Sequence, residues 1–338
     1  MTIAIFLGSL LAAMALGVPI AFSLLLCGVA LMWHLNIFDA QILAQNVIEG
    51  SNSFPLLAVP FFMLAGEIMN AGGLSRRIVN FALSLVGHIK GGLGYVAIMS
   101  AVIMAALSGS AVADAAALSA LLLPMMVAAG HDKARSAGLL ASASIIAPII
   151  PPSIAFVIFG VAAGVSISKL FLAGIVPGLL LGVCLWITWG VLVRREQVAA
   201  PARQSRAQVL AAFKDATFAL VLPIIVVVGL KFGVFTPTEA AVVAAVYALF
   251  ISTVVYGELK VSQLYGLFLA AIKTTSVIMF LVAAAMVSAW LITVAQLPAQ
   301  LVELLQPLLD RPRLLMAAIM LLVIIVGTAM DMTPTILI

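Results

Sequence analysis

Two short stretches combine small residues, hydroxyl groups and interrupted backbone within apolar sequence. Residues 107–118 read LSGSAVADAAAL, and residues 144–153 read SIIAPIIPPS. An interior proline removes a backbone donor and clashes with the carbonyl one turn earlier, which costs about 3 kcal/mol or more in a helix. In hydrocarbon no water satisfies the freed carbonyl groups, so such a break persists where another group uses them. A hard cation such as sodium prefers oxygen ligands and fits this description.

The residue types indicate which groups could bind the cation. The break offers carbonyl oxygens near Ala147, Ile149 and Ile150 together with the hydroxyl of Ser153, and Ser108 and Ser110 add hydroxyls from the other stretch. A packing kink is the alternative for a proline in a membrane helix. Three prolines within five residues, with a serine-rich stretch nearby, favour a binding site.

Asp114 is the only acid between Glu67 and Asp132. An acidic residue inside a membrane segment is a candidate functional residue by default. The alternative role for Asp114 is structural, as a helix N-cap or a hydrogen-bonded anchor that faces protein.

The elements that must hold these residues are membrane helices. Hydrophobic residues make up 65% of the 338 residues, charged residues only 8%, and the mean hydropathy is +1.31, whereas a soluble domain carries about 25% charged residues. Apolar runs long enough to span a bilayer recur along the chain, which predicts an all-α polytopic membrane protein. The longest polar stretch, 194–215, is rich in arginine and is expected on the cytoplasmic side.

A pattern of helices repeats in the two halves. Each half has paired apolar segments, a further apolar helix, an amphipathic stretch (72–87 and 297–310) and then a small-residue segment with an aspartate. This predicts structural repeats with re-entrant hairpins and broken helices. The expected domains are a first repeat at 1–193, a linker at 194–216 and a second repeat at 217–338. The second repeat is expected to be incomplete, because no proline break follows GTAMDMTP (327–334).

Two further features bear on function. Gly174, Gly178 and Gly182 recur at every fourth position, which favours close helix packing rather than ligand binding. An intramembrane serine enzyme is the alternative of another class, but it needs a base. The three histidines lie near predicted helix ends, away from the serine-rich stretch, so no enzyme is expected.

Five segments together resemble the large permease subunit of tripartite ATP-independent periplasmic (TRAP) transporters: PLLAVPFFMLAGEIMNAGGLSRRIV, LSGSAVADAAAL, APIIPPS, FTPTEAA and DMTPTILI. The resemblance implies an elevator-type fold with inverted repeats in a bacterial inner membrane. It implies sodium-coupled import of an organic acid, a sugar acid such as diketo-L-gulonate, with sodium as the coupling ion and no cofactor. The implied partners are a small four-helix membrane subunit and a periplasmic substrate-binding protein, without nucleic acid. The alternative is a truncated, transport-incompetent fragment or scaffold of such a complex.

The same resemblance implies site residues. The first sodium site would use Ser108, Gly109, Ser110, Ala147, Pro148, Pro151 and Ser153. The second would use Gly327, Thr328 and Asp331, and its other half lies beyond Ile338 in the family. Substrate binding would involve Asp114, Pro152 and Thr333. The family usually has glycine where Ala147 stands, and we expect the added methyl group to tighten the turn without abolishing the site.

Overall fold

The structure is a computed structural model that describes residues 2–194, 198, 202–297, 299, 302, 306, 310–329 and 332–337. These residues form helices and connecting turns, with no strand among them. Thirteen helices are labelled here: α1 Thr2–Ala15, α2 Ile20–His34, α3 Ala40–Ser51, α4 Ala58–Ala71, α5 Leu74–Val86, α6 Gly92–Ser108, α7 Ala111–Ala128, α8 Lys133–Ser144, α9 Ile154–Ala162, α10 Ile167–Val193, α11 Arg206–Lys231, α12 Pro237–Phe250 and α13 Val261–Val294. Further helices span Pro312–Ala329 and Met332–Leu337.

Six of the described helical stretches are at least 18 residues long and apolar enough to cross a membrane. They are Phe54–Ala71, Ala111–Ala128, Ile167–Val193, Arg206–Lys231, Pro237–Val255 and Val261–Val294. The predicted all-α polytopic membrane class is therefore confirmed. The inverted repeats and the elevator arrangement remain predictions.

Local sequence explains where two of the long helices begin. Ser205 caps α11 by accepting a hydrogen bond from the Gln208 amide at 3.3 Å, and the Gln208 side chain accepts one from the Ser205 amide at 2.8 Å. Thr236 and Glu239 form the same reciprocal capping box before α12, with Pro237 in the first turn. Because of the first box, α11 begins inside the stretch predicted as a linker.

The chain divides into two compact units. These units are defined by contacts between residues, so they do not test the predicted repeat boundaries. One unit comprises Met1–Leu56, Val161–Ala163 and Ser276–Ile338. Within it α1 packs on α2, and α2 meets the second half of α13 through Phe22 and Phe280, whose ring centroids are 5.1 Å apart.

The other unit comprises Leu57–Gly160 and Gly164–Thr275 and holds both of the stretches singled out above as a cation site. In it α4 packs against α12, and α6 packs against α7, α8 and α10. Its buried positions are mostly small or aliphatic residues, which allow close approach between membrane helices.

The first predicted amphipathic stretch is helix α5. Leu74, Ile78, Val79 and Ala82 are buried, and the helix packs on α11 and α6. The helix therefore lies against the bundle. Most of the second amphipathic stretch, 297–310, lies outside the described residues.

Arg77 links α5 to α11 and to the turn after α12. Its guanidinium lies 2.7 Å from Glu258 and 3.1 Å from Asp215, and its Cζ lies 3.6 Å from the centroid of the Tyr256 ring. Burial alone lowers the pKa of Arg77, but its hydrogen bonds to Glu258 and Asp215 outweigh that effect and raise the pKa. Arg77 is therefore held in its charged form.

We expect Arg77→Met to destabilise this unit by about 1–3 kcal/mol, because it removes hydrogen bonds between charged groups from a side chain that is only 13% exposed. Arg76→Met is the matched control. Arg76 pairs with Glu258 at 2.8 Å but is 56% exposed, so its loss should cost about 0–1 kcal/mol. Thermal unfolding of the purified protein measures the loss of stability in both variants. Equal losses would show that Arg77 does not link α5 to α11.

Candidate functional site

The serine-rich stretch forms the turn of a helical hairpin. Helix α6 ends at Ser108, and α7 begins at Ala111. Gly109 between them has a φ of +60°, in the left-handed region that glycine enters without strain. Ser110 caps α7 by accepting a hydrogen bond from the Ala113 amide at 3.4 Å. Within the predicted stretch 107–118, the interruption is thus a two-residue turn, Gly109-Ser110.

The proline-rich stretch is a true helix break. Helix α8 ends at Ser144 and α9 begins at Ile154, with turns and bends between them and a cis peptide bond at Pro151-Pro152. The Ser153 hydroxyl donates to the Pro148 carbonyl at 2.5 Å and accepts from the Phe156 amide at 3.2 Å. One hydroxyl therefore closes the break and caps the helix that follows it.

Several carbonyl groups of the break lack a hydrogen-bond donor among the described residues. Among the described residues, none donates a hydrogen bond to the carbonyl oxygens of Ala147, Ile150 or Pro152. Pro148, Pro151, Pro152 and Ser153 are all buried. Buried carbonyl oxygens are normally hydrogen-bonded, so these atoms are available as ligands for an ion.

The hairpin turn packs directly on the break. A Cβ atom added at Gly109 would overlap the Pro152 carbonyl oxygen and lie 3.3 Å from the Ile154 amide nitrogen. Gly109 is therefore needed for contact as well as for conformation. The contact places the N-terminal ends of α7 and α9 side by side, and each carries partial positive charge.

Asp114 lies in the first turn of α7 and is fully buried, with 0% exposure. Its Oδ1 accepts a hydrogen bond from the Ser108 hydroxyl at 2.5 Å, whereas its Oδ2 has no partner among the described residues. Ser110, not Asp114, is the N-cap. Asp114 therefore anchors the turn with one oxygen, and its other oxygen has no partner among the described residues.

Two neighbouring helices hold the break and the turn in place. On α10, Cβ atoms at Gly174 and Gly178 would overlap the Ile149 carbonyl and the Ile150 side chain. On α4, a Cβ atom at Gly66 would lie 3.7 Å from Ser108. The predicted packing role of the glycine ridge is confirmed.

The structure accommodates alanine at position 147, where the family resemblance leads us to expect glycine. Ala147 is completely buried and packs in an apolar cluster with Ala105, Ile146 and Ile150. Its amide donates a hydrogen bond to the Ser144 carbonyl at 3.1 Å. The methyl group thus fills space inside the cluster.

The two described residues of the predicted second site, Gly327 and Thr328, lie in the other compact unit. Gly327 and Thr328 belong to the continuous helix Pro312–Ala329, where the Thr328 hydroxyl donates to the Ile325 carbonyl at 2.7 Å. Thr333 is buried in Met332–Leu337. Asp331 lies outside the described residues. The second site therefore stays a prediction.

Sequence reasoning missed two arrangements. It did not pair Ser108 with Asp114, although these residues flank a turn whose glycine and serine signals were visible. It also did not connect Arg77 to Asp215 and Glu258, which lie 138 and 181 residues away along the chain. No local pattern signals a contact of that separation.

Comparison with known proteins agrees with these features. Residues 7–338 match the family described as the tripartite ATP-independent periplasmic transporter, DctM component. The 2,3-diketo-L-gulonate TRAP transporter large permease of Escherichia coli is 56% identical over 338 residues, covering 100% of this chain and 80% of that protein.

More distant relatives carry other substrate names. The sialic acid TRAP transporter large permease of Vibrio cholerae is 38% identical over 315 residues, covering 93% of this chain and 74% of that protein. The C4-dicarboxylate TRAP transporter large permease of Pseudomonas aeruginosa is 38% identical over 296 residues, covering 88% of this chain and 69% of that protein. These relatives are transporter subunits and not enzymes. With its apolar spans, helical hairpin and proline break, the chain belongs to the family of TRAP transporter large permeases.

Proposed function

We propose that this permease couples the uptake of an organic acid to a sodium gradient. It acts in a bacterial inner membrane with a small membrane subunit and a periplasmic binding protein. The observation that carries the proposal is the packing of Gly109 on the Pro152 carbonyl. This contact brings the oxygen-rich turn and the oxygen-rich break together inside the protein.

Sodium suits the ligands of this first site. The unpaired carbonyl groups and the hydroxyls of Ser108, Ser110 and Ser153 are neutral oxygen donors. Asp114, which the resemblance assigned to the substrate, is proposed here to supply one buried carboxylate oxygen to the ion instead. In this proposal the ion lies between turn and break and links the two segments. Because a sodium ion and an anionic substrate bound close together attract each other, the binding of each strengthens the binding of the other.

The substrate class follows from charge and from the relatives. The paired N-terminal ends of α7 and α9 favour an anion, and the three relatives are named for diketo-L-gulonate, sialic acid and C4-dicarboxylates. All of these are carboxylates. The 56% identity favours a sugar acid of the diketo-L-gulonate type. Pro152 and Thr333 are proposed to contact it, and Gly327, Thr328 and Asp331 to bind a second sodium ion.

The membrane orientation rests on charge. Arg194, Arg203, Arg206 and Lys214 lie between the end of α10 and the first turns of α11. Basic loops stay preferentially on the cytoplasmic side. The binding protein would therefore meet the opposite face of the permease.

The test is transport by the full-length permease, reconstituted in proteoliposomes with its small subunit and binding protein. We expect 2,3-diketo-L-gulonate to accumulate with an inward sodium gradient and not with an equal choline gradient. Sialic acid and a C4-dicarboxylate serve as substrate controls. Accumulation that persists after a sodium ionophore collapses the gradient would contradict the proposal.

A further inference from the structure

An open cavity of about 820 Å³ lies between α5 and the start of α11, away from the turn and the break. One wall is apolar and includes Phe81, Leu210 and Phe213, with the rings of Phe81 and Phe213 5.6 Å apart. Arg203 and Arg206 also line the cavity. The proposed transport function does not use this cavity.

The two arginines have no acidic partner within the described part of the chain. Arg76 and Arg77 are paired with Glu258 and Asp215, but no ion pair is formed by Arg203 or Arg206. None of the residues that line the cavity is acidic. The cavity lining therefore holds two positive charges that are available to an anion.

The start of α11 adds a second source of positive potential. Ser205 and Arg206, which begin this 26-residue helix, both line the cavity. The capping box occupies the amides of Ser205 and Gln208, but the amides of Arg206 and Ala207 lack intrahelical partners and attract anions. The buried Nδ1 of His88, which also lines the cavity, has no hydrogen-bond partner among the described residues.

A smaller, mostly apolar cavity of about 430 Å³ adjoins the first one. The two share Ser84, His88 and Gln204, and the smaller one extends to Leu93 and Met125. A cavity that is lined by two arginines and adjoins an apolar crevice matches a molecule with an anionic head and a hydrocarbon tail. A small soluble anion would leave the apolar walls unused.

The position of the cavity also fits a lipid. The Lys90 ammonium group donates to the Arg194 carbonyl at 3.1 Å, which places the start of α6 beside the end of α10. The cavity lies at this basic end of the helices, where the chain is expected to meet the cytoplasmic leaflet. Basic pockets on that side of membrane proteins suit anionic lipid headgroups.

We propose that this cavity binds an anionic phospholipid of the cytoplasmic leaflet, with its phosphate on Arg203, Arg206 and the start of α11, and an acyl chain along Phe81, Leu210 and the adjoining crevice. The lipid fills the space between the amphipathic helix α5 and α11. It thereby fixes the helix that Arg77 holds from its other end.

The test uses the purified full-length protein in detergent, titrated with phosphatidylglycerol or phosphatidylcholine. Native mass spectra report the bound lipid, and the unfolding temperature reports its effect on stability. We expect phosphatidylglycerol to bind preferentially and to raise the unfolding temperature. The double substitution Arg203→Gln with Arg206→Gln should weaken its binding roughly 30-fold, while lysine at both positions should keep most of it.

The matched control is Arg194→Gln with Lys214→Gln, which removes the same charge from the same region but from residues that do not line the cavity. If both double variants lose binding equally, surface charge alone attracts the lipid and the proposal is wrong. If inorganic phosphate reproduces the stabilisation, the ligand is not a lipid. If the small membrane subunit abolishes lipid binding, the cavity is a protein interface.

A second variant covers the case in which the arginine variant does not fold. Leu210 is 54% exposed, so Leu210→Trp adds bulk to the cavity wall without disturbing the buried core. We expect it to lose phosphatidylglycerol binding. Unchanged binding in this variant would overturn the placement of the acyl chain.

Discussion

Replacing Gly109 with alanine should abolish transport and destabilise the protein. Alanine at a φ of +60° costs roughly 1–2 kcal/mol, and its Cβ would overlap the backbone carbonyl of Pro152. A backbone group cannot rotate away as a side chain can, so the turn and the break must separate. A shift of about 1 Å in positioned groups can cost 100-fold in rate, and we expect a loss of at least that size in sodium-driven uptake.

Substitutions at two other glycines distinguish the effect of the positive φ from the effect of the overlap with Pro152. Gly130 has a φ of +91° but nothing within 4 Å of an added Cβ, and Gly138, inside α8, has neither a positive φ nor a nearby atom. Gly130→Ala should cost only the conformational strain, and Gly138→Ala should be neutral or stabilising by about 0.5–1 kcal/mol. Uptake and unfolding temperature are measured for all three. If Gly109→Ala behaves like Gly130→Ala, the contact with Pro152 is not essential.

The second large effect is expected from Ser108→Ala combined with Ser110→Ala. This change removes two hydroxyls from the proposed sodium site and deprives the buried Asp114 of its hydrogen bond from Ser108. An unsatisfied buried partner costs about 1–3 kcal/mol, so the unfolding temperature should fall while the helices persist. The sodium concentration for half-maximal uptake should rise about tenfold or more, which corresponds to about 1.4 kcal/mol of lost binding.

Ser142→Ala is the control for this pair. Ser142 lies in α8, and its hydroxyl donates to the Gly138 carbonyl at 2.8 Å, so its loss should change stability by less than about 0.5 kcal/mol. Sodium dependence should be unchanged in this variant. An unchanged sodium dependence in the Ser108 and Ser110 variant as well would remove the turn from the site.

Much of the first site was predictable because its signals are local. A glycine between two serines marks a turn, and three prolines in five residues mark a break, whatever the rest of the chain does. The glycine spacing along α10 also predicted its packing face. The two expected segments do meet, at Gly109 and Pro152.

Other features could not be predicted because they depend on distant partners. The contacts of Arg77 join residues from α5, α11 and the turn after α12, and α5 proved to pack on the bundle because α11 and α6 supply an apolar surface. The cavity beside Arg203 exists only where α5 meets α11. Sequence periodicity gives the buried face of a helix but not the identity of its neighbour.

The central claim is that a sodium ion binds where the Gly109 turn meets the proline break. Equilibrium binding of radioactive sodium to the purified full-length protein tests it most directly. We predict saturable binding that unlabelled sodium displaces and potassium does not, with clear weakening in Gly109→Ala and in the Ser108 and Ser110 variant. Sodium binding that is equally strong in the wild-type protein and both variants would contradict the account.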